Sequence, residues 1–293
     1  MTGHWRLGVE TGGTKVIARL TEDNVVRADA RWPTTTPDAA VDAIVAFVRG
    51  ALSPGALIEA AGIAAFGPLL VDLATGDAGR MLQTPKPFWS GSNLRAALAE
   101  RLGTRVEVDT DVNAAALAEL RIGAGRGLPS LAYLTVGTGI GGGRATAAGT
   151  LTGALHPEIG HLRLIRQAGD SVGSTCPFHD DCAEGLAAGP AVARRLGGDS
   201  LAGREDVRLV VAEYLAQLCV AIVLFWSPHR IVVGGGIATA PGMLDALRVA
   251  YARSLGSYGV GAGPRANDFI LAAELADAGL EGALFLAGGG QVQ

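Results

Sequence analysis

The chain has 293 residues, 49% of them hydrophobic and 18% charged, which suits one large or two medium core-forming domains and excludes a disordered chain. A formal net charge of −4 provides no basic surface for nucleic acid. The opening "MTGHWRLGVETGG" has no basic segment leading into an apolar one, and the most apolar run, "LVVAEYLAQLCVAIVLFW", is interrupted by Glu213 and Gln217. The expectation is therefore a soluble, cytoplasmic protein with no signal peptide and no membrane span.

In chain order, "WRLGVETGGTKVIARL" predicts a strand, a glycine turn and a second strand, and "NVVRADARW" a third. Helical spacing runs from Pro37 to Leu52, with Thr36 placed to cap it. "EAAGIAAFGP" reads as a short buried strand, "NLRAALAERLG" as a helix with a glycine stop, and "RVEVDTD" as a strand running into the helix "VNAAALAELRIG". The order then repeats: "SLAYLTVGTGIGGGRA" is again strand, glycine turn, strand. Helices follow over Glu184 to Leu196 and Arg204 to Phe225. "HRIVVGGGIA" is a strand meeting a glycine turn and a helix, and "NDFILAAELADAGLEGALFLA" ends the chain with a strand, a loop and a helix. Two halves that each open on a strand–turn–strand imply a duplicated α/β unit. The predicted division is an N-terminal α/β domain over 1–121 and a C-terminal α/β domain over 122–278, with the terminal helix 279–290 packing back onto the first.

Three glycine turns lie at strand ends: Thr11 to Lys15, Gly137 to Gly143, and Gly234 to Gly236. Glycine lets successive backbone N–H groups approach an anion with no Cβ in the way. A tight turn would explain any one of them; three together suit phosphates at the two hairpin tips and a base or ribose at the third. None matches the P-loop pattern or the dinucleotide fingerprint. "VDTDVNAAALAE" puts Asp109, Asp111 and Asn113 at a strand end entering a helix. A carboxylate there can serve as general base toward a hydroxyl, although one such residue is expected simply to cap the helix. "HPEIGH" and "CAEG" supply Glu158 and Glu184, suited to sugar hydroxyls if they are not merely solvated.

Between those glutamates lie His161, Cys176, His179 and Cys182, the last three spaced C-x2-H-x2-C. Thiolate and imidazole together suit zinc, and four protein ligands make a closed, structural site. The third cysteine, Cys219, falls in the apolar helix and reads as core filling. Of 24 Lys and Arg residues only Lys15 and Lys86 are lysine. Lys15 adjoins the first glycine turn, whereas Lys86, in a proline-fixed turn, reads as a surface residue.

With these motifs in place the chain resembles the ROK sugar kinases, and most closely their fructokinase-like branch. "ETGGTK" and "TVGTGIGGG" look like the two phosphate motifs, and "DTDVNAAALAE" like the catalytic-aspartate motif. "HPEIGH" with "CPFHDDCAEG" looks like the sugar-and-zinc signature, "VVGGGI" like the adenosine motif, and "DAGLEGALFLA" like the terminal helix. "FGP" and "TPKPFW" resemble the fructokinase-like branch, as do Glu10 in place of Asp and a Cys-His-Cys ligand set in place of three Cys.

The resemblance implies an α/β, actin-like ATPase (ribonuclease H-like) duplicated two-domain fold with an interdomain cleft. It implies ATP-dependent phosphorylation of a hexose, D-fructose to fructose 6-phosphate first, with glucose, mannose or N-acetylmannosamine as alternative substrates. Asp111 becomes the catalytic base, and Asn113, Glu158, His161 and Glu184 bind the sugar. Gly12, Gly13, Thr14, Lys15, Gly137, Thr138, Gly139, Gly234, Gly235 and Gly236 bind ATP. Glu10 holds Mg2+ through water. A structural Zn2+ on His161, Cys176, His179 and Cys182 clamps the sugar-pocket segment 156–185, and the protein is expected to be a homodimer. A non-enzymatic sugar-responsive regulator is the further alternative, which the first strand, beginning near Trp5, leaves little room for.

Overall fold

Alternating apolar residues bring three consecutive segments together as an antiparallel meander: β1 (Trp5–Thr11), β2 (Lys15–Glu22) and β3 (Val25–Pro33). The structure, a computed structural model, describes residues 3–53 and 55–289. Helix α1 (Pro37–Ala51) starts where the sequence predicts, with the Thr36 hydroxyl accepting the Ala39 N–H and a proline in the first turn. Strand β4 (Ile58–Ala65) then pairs parallel to β1, α2 (Leu94–Leu102) stops on Gly103 in the left-handed conformation, and β5 (Arg105–Thr110) pairs parallel to β4. The first sheet has the order β3-β2-β1-β4-β5.

The second sheet repeats this plan. Helix α3 (Asp111–Ile122) leads to β6 (Ser130–Val136), which pairs antiparallel to β7 (Ile140–Thr146). Strands β8 (Gly149–Thr150), β9 (Ile231–Gly234) and β10 (Ile270–Ala272) complete the order β10-β9-β6-β7-β8, with β9 parallel to both β6 and β10. In each sheet a hairpin precedes two parallel additions, as the duplicated reading expects.

The predicted single helix from Glu184 to Leu196 is two helices, α4 (Ala183–Ala187) and α5 (Gly189–Leu196). Ala188 is extended between them, because Pro190 in the first turn of α5 cannot continue α4. Helix α6 (Glu205–Trp226) is long and apolar enough to cross a membrane, but Val211, Tyr214, Leu215, Leu218 and Cys219 are buried in a protein core against α7 (Met243–Leu255) and the second sheet. Glu119 is fully buried, and its carboxylate accepts the Ala124 and Glu274 N–H groups.

The chain forms two compact units. One comprises Met1–Ala118, Ala147–His156 and Leu275–Gln293; the other comprises Glu119–Thr146 and Pro157–Glu274. Each has its own apolar core, the first around Leu7, Leu20, Ile44 and Ile63, the second around Leu134, Leu186, Tyr214 and Val233. The excursion 147–156 is one that a single cut in the sequence does not anticipate. It is tied to the first unit by the Thr150 hydroxyl donating to Asp109 (2.5 Å), the Asn113 amide donating to the Leu151 carbonyl (3.1 Å), and the Leu69 N–H donating to His156 Nε2 (3.2 Å).

The last helix, α8 (Ala278–Ala287), packs on β1 and β4; residue 290 of the predicted 279–290 span lies outside the described residues. Its approach is close enough to require glycine. A Cβ on Gly62 would lie 1.9 Å from the Ala283 carbonyl oxygen, and one on Gly282 would lie 2.0 Å from that of Ala114.

Candidate active site and metal centre

In the first unit, β1 and β2 are joined by a turn in which the Gly12 N–H donates to the Lys15 carbonyl (2.8 Å). The turn's carbonyls are also engaged. Gly12 O accepts the Thr34 hydroxyl (2.7 Å), Gly13 O accepts Lys86 Nζ (2.6 Å), and Thr14 O accepts the Thr34 N–H (3.0 Å). Gly13 and Thr14 are exposed, and their own N–H groups make no hydrogen bond among the described residues. Oxygens held back and amides open make a turn that can receive an anion. Lys86, read from sequence as a surface residue, is half-buried and bonded to this turn.

Glu10 lies near the end of β1 beside the start of α8, where a Cβ on Gly279 would come 3.0 Å from its Cδ. Burial pushes its carboxyl above the usual range, partly offset by Lys15.

The β5–α3 junction separates its two aspartates. Asp109 is only 3% exposed and accepts the Thr110 N–H (2.7 Å), the Asn113 amide (2.9 Å) and the Thr150 hydroxyl (2.5 Å). Asn113 is fully buried, with its amide nitrogen divided between Asp109 and the Leu151 carbonyl. Asp111 opens α3 and is half-buried, its carboxylate accepting the Val112 N–H (2.9 Å). Thr150 and His156 gave no signal in the sequence, because their partners are remote along the chain.

In the second unit the glycines of "GTGIGGG" divide by role. Gly137 to Gly139 form the turn between β6 and β7, with Gly137 open on its Cβ side and Thr138 exposed. Gly142 lies within β7 and admits Ile159, whose Cδ1 would be 2.0 Å from a Cβ there. The carboxylate of Glu184 accepts the Ile140 N–H (3.1 Å) and lies 2.7 Å from where a Cβ on Gly139 would be, which ties the start of α4 to this turn. In "GGG" after β9, a Cβ on Gly234 would meet the Tyr133 hydroxyl at 2.1 Å, and one on Gly235 the Val136 carbonyl at 2.4 Å. Those two glycines serve close packing on β6; Gly236 faces open space.

Glu158 precedes a single 3-10 turn, Ile159–His161, which packs so closely on β7 that a Cβ on Gly160 would be 1.9 Å from the Ile140 carbonyl oxygen. Burial raises the Glu158 carboxyl above the usual range, His161 lowers it and Glu184 raises it, so these three groups share one electrostatic neighbourhood.

His161, Cys176, His179 and Cys182 converge, with one ligand atom from each within 4.8 Å of all the others. Cys176 Sγ is 3.8 Å from His161 Nδ1 and 3.7 Å from His179 Nδ1, and Cys182 Sγ is 3.8 Å from His161 Nδ1. A tetrahedral ion with bonds of about 2.3 Å to sulfur and about 2.0 Å to nitrogen spaces its ligands at about 3.5 Å. The donor set and spacing therefore fit zinc. The sulfurs also accept backbone N–H groups, Cys176 from Phe178 and Cys182 from Gly185 (3.4 Å each), an arrangement that suits thiolates. His161 turns Nδ1 inward, which reserves Nε2 for a second partner.

Similarity to known proteins identifies the family. A family model described as the ROK family matches residues 6–289. A fructokinase of Zymomonas mobilis is 41% identical over 261 residues, covering 87% of each chain. Among solved structures, a ROK hexokinase from Thermus thermophilus is 31% identical with a TM-score of 0.78, over 97% of each chain. A ROK family glucokinase from Streptomyces griseus, in complex with glucose and AMPPNP, is 27% identical with a TM-score of 0.75, over 97% of this chain and 99% of that one.

Proposed function

The chain belongs to the ROK family and has its duplicated α/β, actin-like ATPase fold, and on that premise we propose that it is an ATP-dependent hexose kinase acting first on D-fructose to give fructose 6-phosphate. The observation that carries the reading is the β5–α3 junction. A buried network engages Asp109 on three sides, and Asp111 is the half-buried carboxylate that opens α3 and accepts the Val112 N–H.

In this reading Asp111 takes the proton from the sugar's 6-hydroxyl as that oxygen attacks the γ-phosphorus of ATP, and ADP leaves in line. The open amides of Gly13 and Thr14, with Gly12 and Lys15, receive phosphate oxygens, as does the turn Gly137, Thr138, Gly139. The adenosine lies at Gly236, with Gly234 and Gly235 shaping the turn by their packing. Glu158, His161 and Glu184 bind sugar hydroxyls, with His161 using Nε2; Asn113, its amide nitrogen already divided, would add only its side-chain carbonyl oxygen as an acceptor. Glu10, a half-buried carboxylate beside Lys15, suits a water-bridged Mg2+, which would neutralise phosphate charge.

Zinc held by His161, Cys176, His179 and Cys182 would have four protein ligands and so no open position for substrate. Its contribution is to hold the segment bearing Glu158 and Glu184. We read the protein as a soluble cytoplasmic homodimer, as the family resemblance implies; among the described residues the one helix of spanning length, α6, is occupied by core packing.

The test is ADP release with saturating Mg-ATP and fructose, glucose, mannose or N-acetylmannosamine. Fructose is expected to lead in kcat/KM by about tenfold or more, the effect of leaving one buried polar group of the pocket unpaired. The second reading, a glucose kinase, rests on the Streptomyces griseus structure, and a tenfold preference for glucose would establish it.

A further inference from the structure

The chain has only two lysines among its 24 Lys and Arg residues, and both address the same turn. Lys15 opens β2 directly after it, and Lys86 reaches it from a distant segment, donating from Nζ to the Gly13 carbonyl at 2.6 Å. The segment that carries Lys86 is firmly anchored. Trp89, 1% exposed, sits in the core of the first unit and donates from Nε1 to the Thr35 carbonyl (2.8 Å), with its ring 5.0 Å from that of Phe66. Ser90 Oγ accepts the Thr84 N–H (3.1 Å), closing the turn around Pro85 and Pro87. An ammonium so placed engages one acceptor and keeps two further N–H donors, which a planar guanidinium could not arrange in the same way.

Of the three carbonyls that could turn toward an incoming anion, Thr34 holds those of Gly12 and Thr14, and Lys86 holds the one at the tip. Lys86 is the charged donor among them. We propose that Lys86 is a phosphate-positioning residue. It fixes the Gly13 carbonyl so that the Gly13 and Thr14 amides stay presented, and it adds a second lysine charge where the nucleotide phosphates bind. This rests on the kinase reading above.

The experiment compares wild type with Lys86→Met, Lys86→Gln and Lys86→Arg. It measures kcat and KM for Mg-ATP at saturating fructose, KM for fructose at saturating Mg-ATP, and the thermal midpoint with and without Mg-ATP. Lys86→Met is expected to lose about tenfold to a hundredfold in kcat/KM for Mg-ATP, the scale of one hydrogen bond to a charged group. Its KM for fructose should change less than about twofold, its ligand-free midpoint should hold, and its midpoint rise on adding Mg-ATP should shrink. Lys86→Gln keeps a donor without charge and should fall with Met, whereas Lys86→Arg should recover part of the loss. Wild-type kcat/KM for Mg-ATP in the Met or Gln variant overturns the proposal, as does an equal rise in KM for fructose. A wild-type protein that releases no ADP with any hexose and gains no stability from Mg-ATP overturns the kinase reading, and this proposal with it.

Discussion

Asp109 and Asp111 stand two positions apart in different surroundings, and the proposed function gives them different work. Asp111 is the half-buried group at the start of α3, so Asp111→Asn is expected to lower kcat by at least ~10²-fold, the scale for losing a positioned base, while the affinity for Mg-ATP holds. Near wild-type turnover in that variant would remove Asp111 from the role. Asp109 instead fixes Asn113 and Thr150, and burial, opposed by its bonds to Thr150, Asn113 and Thr110, pushes its carboxyl above the ordinary range. Between the unfolded value of about 3.9 and the raised folded value, the unfolded chain has released this proton and the folded one has not. The folded state binds more protons there, so this group's contribution to stability falls as pH rises through the window, and stays at its lower level above it. Asp109→Asn preserves the shape and most hydrogen bonds without a charge to desolvate. Urea unfolding of both proteins from about pH 4 to pH 8 should give a wild-type-minus-variant stability difference that declines with rising pH and then levels. A pH-independent difference would show that Asp109 does not titrate in this way.

Among the elements, the cysteine–histidine segment is the one that secondary structure alone cannot hold. Its regular pieces are a single 3-10 turn and the short α4, joined by loop. Cys182 is both an expected zinc ligand and the cap of α4, accepting the Gly185 N–H. Cys182→Ala is therefore expected to abolish stoichiometric zinc in elemental analysis, lower the thermal midpoint and raise KM for the sugar; a zinc-free variant with wild-type stability and KM would count against the clamp. Helix α8 poses the opposite case, a contact with no slack. A methyl group on Gly62 would fall 1.9 Å from the Ala283 carbonyl, and the obstacle is backbone, which has no rotamer to yield. Gly62→Ala should destabilise by about 1–3 kcal/mol or more, measurable as a lower urea midpoint at unchanged slope. These elements also show what a sequence reveals. The convergence of His161, Cys176, His179 and Cys182 and the strand–turn–strand openings were legible because their chemistry or period is local. The break at Ala188 was marked by Pro190, yet the helical spacing on either side of it masked the stop. Gly142, Gly234 and Gly235 resemble ligand-binding glycines in sequence but serve close packing on Ile159, Tyr133 and Val136, which are partners that no local pattern names. The bonds from Lys86 to Gly13 and from Thr150 to Asp109 were hidden for the same reason.

At the scale of the whole molecule, the chain crosses between its two units repeatedly, at 118–119, 146–147, 156–157 and 274–275, yet each unit closes its own apolar core. The Cys–His cluster proposed to hold zinc lies within the second unit. Removing zinc should consequently weaken the second unit directly, with no ligand lost from the first. The tryptophans report on this separately, because Trp5 and Trp89 are buried in the first core, Trp32 packs beside it, and Trp226 packs against the second. Subtracting the fluorescence of a Trp226→Phe variant from that of wild type isolates the second unit's signal. With zinc bound, the two signals are expected to change together in urea. After chelation the Trp226 signal should change first, at a lower urea concentration, while the remaining tryptophans follow at close to their original midpoint, since a metal site is a folding contribution to the segment that holds it. Coincident transitions in the chelated protein, shifted down together, would mean that the units unfold as one and that zinc stabilises the whole chain rather than the segment carrying Glu158 and Glu184.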